Sequence, residues 1–256
     1  MTLLFHQVAD PMKQFEVQKW IELPAVFGYD ISFTNAAGFM LLGIILVIAL
    51  FGYAASRGEM IPSRLQSIGE IGYGFVADMI RSTAGEEGLR FFPFVFTLFF
   101  FIFAANLIGM FPYAFTTTSH IVVTATLALL VISIVILYGF YKNGIGFLKL
   151  FAPAGAPWYI YLILIPIEVV SFLARPLTLA LRLFANMLAG HIILKIFAGF
   201  VVTGITAGGI GLLVTPLAFA MGIALNALEF LVAGLQAYVF AILTCVYLND
   251  ALHPSH

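Results

Sequence analysis

Hydrophobic residues fall in long unbroken blocks along this chain, with polar ones gathered between them. The first block, AAGFMLLGIILVIALFGYAAS at 36 to 56, exceeds the about 18 apolar residues needed to cross roughly 30 Å of hydrocarbon. The next stretch, PSRLQSIGEIGYGFVADMIRSTAGEEG at 62 to 88, is amphipathic instead. Ile68, Ile71, Phe75 and Met79 share one helical stripe, while Arg64, Glu70, Asp78 and Arg81 lie elsewhere. It predicts an in-plane helix along the membrane rather than across it. Two further spans, 91 to 111 and 120 to 141, are joined by a short uncharged loop around Pro112 and form a helical hairpin over 91 to 141.

The last two blocks are too long for upright spans. Residues 158 to 202 number about 45, or roughly 67 Å as helix, and 212 to 248 number about 37, or roughly 55 Å, of a segment taken to 250. Two long, steeply tilted or kinked helices follow, with Pro166, Pro176 and Pro216 as candidate bends. The alternative splits each into two half-spans around a hidden turn. Residues 1 to 34 form an outer-side N-terminal segment in which KQFEVQKWIEL suggests a short interfacial helix. The fold class is thus an all-α integral membrane protein in a single membrane domain over 1 to 256. It has about five membrane-crossing helices, two of them long and steeply tilted, plus the amphipathic helix.

Composition agrees. Of 256 residues, 62% are hydrophobic and 9% charged, against the about 25% charged that a soluble surface needs. Strands of a transmembrane barrel would alternate over about ten residues, and these blocks do not. A net charge of -1 offers no footprint for nucleic acid, and no phosphate-cradling glycine loop appears. The lone Cys245 reads as a core thiol. The N-terminus lacks the basic start and apolar core of a cleavable signal, so the first span is expected to direct insertion. With five crossings, one side receives Arg57, Arg64, Arg81, Arg90, Lys142 and Lys149, and the other only Lys13 and Lys19. The first side, with the C-terminus, is therefore cytoplasmic or matrix-like.

Polar groups inside the last two blocks carry the candidate chemistry, because a charge at mid-bilayer costs about 2.5 to 3.5 kcal/mol and needs a reason. At 100° per residue, Glu168, Arg175 and Arg182 fall within about 40° of one another, and Asn186 stays on that face. His191 lies on the opposite side with Lys195 a turn beyond. Glu229 and Gln236 share a face of the last helix, with Asn226 a turn earlier. A carboxylate and an imidazole on neighbouring helices supply the elements of a proton path. A guanidinium cannot relay protons, so Arg182 acts as a fixed barrier or as a carboxylate's partner. Plainer readings stand beside these: Arg175 and Lys195 snorkelling to opposite interfaces, Glu168 neutralising Arg175 or Arg182, His191 as a packing residue. A midplane secondary transporter would show paired internal repeats, and none is found. A haem subunit would rest on His120 and His191, two isolated imidazoles.

These residues resemble the a-subunit family of the F-type ATP synthases. RPLTLALRLFANMLAGH at 175 to 191 is similar to the family's signature, NLIGMFPY at 106 to 113 to its second motif, and EFLVAGLQAYVFAILTCVYLNDAL at 229 to 252 to its C-terminal helix. The resemblance implies that Arg182 is the essential arginine facing the c-ring carboxylates, with Asn186 and Gln236 its polar neighbours. It implies that His191 and Glu229, in mitochondrial-like order, line the outer half-channel, and that Glu168, with Thr178 close by, belongs to the cytoplasmic one. Two proton half-channels separated by Arg182 would then couple proton flow to ring rotation and ATP synthesis, with no catalytic site on this chain and no cofactor or metal. The implied partners are the c-ring, peripheral-stalk b-type subunits, membrane lipids and protons, with no nucleic acid. The expected location is a bacterial inner membrane, placed ahead of a mitochondrial inner membrane.

Overall fold

The computed structural model describes residues 15–22, 32–57, 62–111, 114–151 and 158–253. The loop at Pro112, the end of the loop before 158, Lys13 and Glu59 lie outside them. Six α-helices are present among these residues: α1 (Asn35–Arg57), α2 (Arg64–Gly88), α3 (Phe92–Gly109), α4 (Ile121–Asn143), α5 (Trp158–Ala207) and α6 (Ile210–Leu252). Five stretches are long and apolar enough to cross a membrane, with α2 and α3 counted as one continuous stretch. The chain is an all-α integral membrane protein.

Both long helices run unbroken through their prolines, Pro166 and Pro176 in α5 and Pro216 in α6. At 50 and 43 residues they measure roughly 75 and 65 Å. Between them Gly208 and Gly209 take φ of 64° and 53°, the left-handed region that only glycine enters freely. The returning helix packs at once. A Cβ on Gly211 would stand 2.7 Å from the Gly204 carbonyl oxygen.

One expectation for local structure is corrected. From Glu16 to Glu22 the segment KQFEVQKWIEL is not helical: β1 (Lys19–Ile21) pairs antiparallel with β2 (Phe33–Thr34). Asn35 is the cause, because its amide donates to the Glu16 carbonyl at 3.1 Å while its oxygen accepts from the Gln18 and Ala36 N–H groups. Those backbone groups are then lost to a local helix. In α2, capped by Ser63 and bent at Gly85 with φ 67°, the stripe divides: Ile68, Ile71 and Phe75 are exposed and Met79 is buried. The face turned inward carries Gly69, Val76, Ala77, Ile80 and Ala84. Small residues decide this, since Gly69 must clear the Ala54 side chain and Gly72 the Phe51 and Phe100 rings. Apolar side chains left outside can face lipid, which a periodicity count cannot tell from a core.

The residues gather into two compact units, each holding parts of several helices. One comprises Ile45–Ile102, Ile121–Arg182 and Ala237–His256. Its interior is apolar, with Val95, Ile102, Val131, Leu179, Phe240 and Leu248 almost wholly buried. Here Lys142 and Asn143, at the end of α4, hydrogen-bond the Leu252 and Ala251 carbonyls, and Lys142 pairs with Glu87 at 2.7 Å. Side chains thus satisfy the orphan carbonyls that end α6. The other unit comprises Met1–Ile44, Phe103–His120 and Leu183–Gln236. Eight of the eleven buried polar side chains among the described residues belong to it, which singles it out as the place to look for chemistry.

Candidate functional site

Four buried hydroxyl residues in a row, Thr116, Thr117, Thr118 and Ser119, follow α3 in the polar unit. A hydroxyl in an apolar interior must find a partner. Thr118 donates to the Asn106 side-chain oxygen at 2.8 Å, and the Asn106 amide donates to the Ala233 carbonyl of α6 at 3.1 Å. Ser119 donates to the Thr116 carbonyl at 2.6 Å. Thr116 Oγ1 donates to the Gly109 carbonyl at 3.3 Å and lies 3.1 Å from His191 Nε2 on α5.

The same imidazole nitrogen stands 3.5 Å from Glu229 Oε1 on α6, too long for a good hydrogen bond but within ion-pair reach. Glu229 is buried, at 5% side-chain exposure, and His191 part-buried at 11%, and neither Glu229 oxygen has a hydrogen-bond partner. Gly190 brings the helices together here: a Cβ on it would lie 2.7 Å from Oε1. Phe15 meets the His191 ring edge-on with centroids 6.3 Å apart, and Lys195, four residues along, acts on it through its charge. One turn before His191 lies Met187, wholly buried, and Asn186, whose amide donates to Gln236 Oε1 at 2.9 Å. Gln236 Nε2 is buried without a partner. His120 stacks on Phe115 just before α4, and burial holds its imidazole below the ordinary value, against a raising hydrogen bond to the Phe15 backbone.

Remaining candidates fall in the other unit. Arg175 Nη1 meets Asp250 Oδ2 at 2.6 Å, and its guanidinium lies over the Phe172 and Tyr247 rings at 5.9 and 5.4 Å. Arg175 is ion-paired, and its carboxylate is Asp250 rather than Glu168. Glu168 is half-buried and Thr178 exposed, with its hydroxyl returned to the Arg175 carbonyl. Arg182 is exposed midway along α5 and forms no ion pair among the described residues, although its charge reaches Tyr247. Asn226 is exposed on α6.

Sequence reading missed Asn106, Thr116, Thr118 and Asp250. A signal existed in TTTS, four small hydroxyls between two apolar spans. What the polar unit can do chemically is hold a proton between an imidazole and a carboxylate, beside hydroxyls able to donate or accept.

Comparison with known proteins agrees over nearly the full chain. Residues 37–249 match the family described as ATP synthase A chain. A protein of Hyphomonas neptunium named ATP synthase subunit a is 72% identical over 244 residues, 95% of this chain and 96% of its own. Those of Maricaulis maris and Mesorhizobium japonicum, with the same name, are 58% and 56% identical over 96% of this chain and 98% of theirs.

Proposed function

The chain belongs to the ATP synthase A chain family, and from that premise we propose that it carries two proton half-channels parted by Arg182 and drives a ring of carboxylates past that guanidinium. It is a membrane subunit of the Fo sector of a bacterial ATP synthase, a multi-pass protein serving proton transport and ATP synthesis. His191 and Glu229 are read as lining the outer half-channel, and Glu168 and Thr178 as belonging to the cytoplasmic one. Asn186 and Gln236 are the polar neighbours of Arg182. Arg175, Lys195 and Asn226 are secondary.

One observation carries this reading. Arg182 is an exposed guanidinium at the middle of a 50-residue apolar helix, without an ion-pair partner among the described residues. Such a charge is stable in a membrane only against water or another polypeptide's counter-charge. A carboxylate of the c-ring meets that need: protonated, it crosses lipid; facing Arg182, it ionises and gives up its proton. The fixed positive field bars direct proton passage between the half-channels. Each proton contributes about 2.3 kcal/mol per 100 mV. Tilted α5 and α6 would follow the ring's flank, peripheral-stalk b-type subunits would hold the chain still, and the C-terminus would be cytoplasmic. Replacing Arg182 by Ala in the assembled complex is expected to abolish proton-driven ATP synthesis. Coupled synthesis at the parent rate would refute the assignment.

A further inference from the structure

We propose that Thr116 is a positioning residue of the proton path: its hydroxyl holds His191 in the tautomer carrying a proton on Nε2, and its rotation decides whether that nitrogen gives or takes one. The proposal rests on the reading of His191 and Glu229 as the outer half-channel, and assigns a third side chain to it. A hydroxyl owns one hydrogen and can direct it at one acceptor at a time. Gly109 ends α3, so its carbonyl has no partner inside the helix, and Thr116 donates to it at 3.3 Å. With the hydrogen so committed, the oxygen 3.1 Å from His191 Nε2 can only accept. Nε2 must then be the donor. Its hydrogen is directed at Thr116 Oγ1, and Glu229 Oε1 stands 3.5 Å from the same nitrogen.

Thr116 is itself held from two sides. Ser119 bonds its carbonyl through both backbone N–H and hydroxyl, at 3.2 and 2.6 Å, and Thr118 ties the segment through Asn106 to Ala233 of α6. Gly109 admits it closely, since a Cβ there would stand 2.8 Å from Thr116 Cγ2. The hydroxyl's remaining freedom is rotation about its own bond.

Protons balance in each step. A proton reaching Nδ1 makes the imidazolium. The Nε2–H bond then breaks as an O–H bond forms at Glu229 Oε1, leaving a neutral ring with its hydrogen on Nδ1. Thr116 turns its hydrogen from the Gly109 carbonyl to the bare Nε2. A water molecule of the half-channel resets the ring by giving a proton to Nε2 as it takes the one on Nδ1, and Thr116 turns its hydrogen back to the Gly109 carbonyl, so that one proton has passed to Glu229 and none is left over. Among the described residues, the charged or titratable groups facing His191 are Glu229 on α6 and Lys195 on α5.

Thr116→Val keeps the shape and removes the hydroxyl; Thr116→Ser keeps the hydroxyl. In membrane vesicles carrying the assembled complex, Thr116→Val is expected to lower gradient-driven ATP synthesis at least about 10-fold, with Thr116→Ser within about twofold of the parent. A Val variant at the parent rate, or a Ser variant as slow as Val, overturns the proposal. Arg182→Ala is measured in parallel: if it kills synthesis while Thr116→Val does not, only the role of Thr116 falls, whereas coupled synthesis without Arg182 brings down the underlying reading. Should Val prevent assembly, ring-nitrogen NMR of the unaltered complex decides, with the His191 signals assigned by difference against His191→Gln. An Nε2–H resonance at neutral pH supports the proposal, and an Nδ1–H resonance overturns it.

Discussion

Gly190 is where α5 approaches the Glu229 carboxylate, and adding one methyl there tests whether the spacing of His191 and Glu229 governs proton flow. In Gly190→Ala the new Cβ would stand 2.7 Å from Glu229 Oε1, 3.0 Å from Cδ and 3.3 Å from Cγ. Ordinary contact begins near 3.4 Å, so the carboxylate must retreat by 3.4 − 2.7 = 0.7 Å. Glu229 is only 5% exposed, which leaves little room for it to swing aside. Overpacking of this size costs about 1 to 3 kcal/mol, within what a large helical membrane complex tolerates. A misplacement approaching 1 Å at a reacting group costs up to about 100-fold in rate. The expected outcome is an assembled complex whose gradient-driven ATP synthesis falls about 10- to 100-fold. Gly199→Ala serves as the control, because its Cβ would meet nothing within 4 Å and alanine is the better helix former. The assay compares synthesis rates in vesicles holding equal amounts of each complex. Equal rates for Gly190→Ala and Gly199→Ala would refute the reasoning.

Removing the carboxylate from the Arg175 and Asp250 pair, whose side chains are 25% and 18% exposed, should strand a half-buried guanidinium. Asp250→Ala is expected to cost about 2 to 4 kcal/mol, and the double variant with Arg175→Leu less than the sum, in equilibrium unfolding in mixed micelles. Ala at Gly208 or Gly209 would force a left-handed φ of 64° or 53° onto a residue with a side chain, costing about 1 kcal/mol or more in the same assay. His120 is held below its ordinary value by burial, so the folded chain binds fewer protons than the unfolded one as acid is added. Stability should therefore be lost as pH falls below the ordinary imidazole range and be unaffected above it. His120→Phe should lessen that acid loss, read as the difference in melting temperature between pH 7.5 and pH 5.5.

Much of this molecule is local and hence legible in its sequence. Blocks of apolar residues longer than the bilayer is thick dictate membrane helices, and a run of 50 helical residues from Trp158 requires no knowledge of the partners it meets. Helical periodicity likewise puts Arg182 and Asn186 on one side of α5 and His191 on the other. Gly208 and Gly209 mark the return between the long helices, because few other residues accept their φ. By contrast, period alone did not decide which face of α2 is buried, since lipid and core both accept Ile68 and Phe75. It also missed Asn35 drawing residues 16 and 18 away from a helix.

Only tertiary structure decided which polar groups meet. That Arg175 pairs with Asp250, 75 residues away, and that Thr116, also 75 residues from its partner, touches His191, are matters of how helices return on one another. A hydrogen bond needs its atoms placed to a few tenths of an ångström, and no repeat in the chain encodes a distance across helices. Residue types set what chemistry was possible here; packing, through Gly190 and Gly109, set which of those groups come within reach of one another.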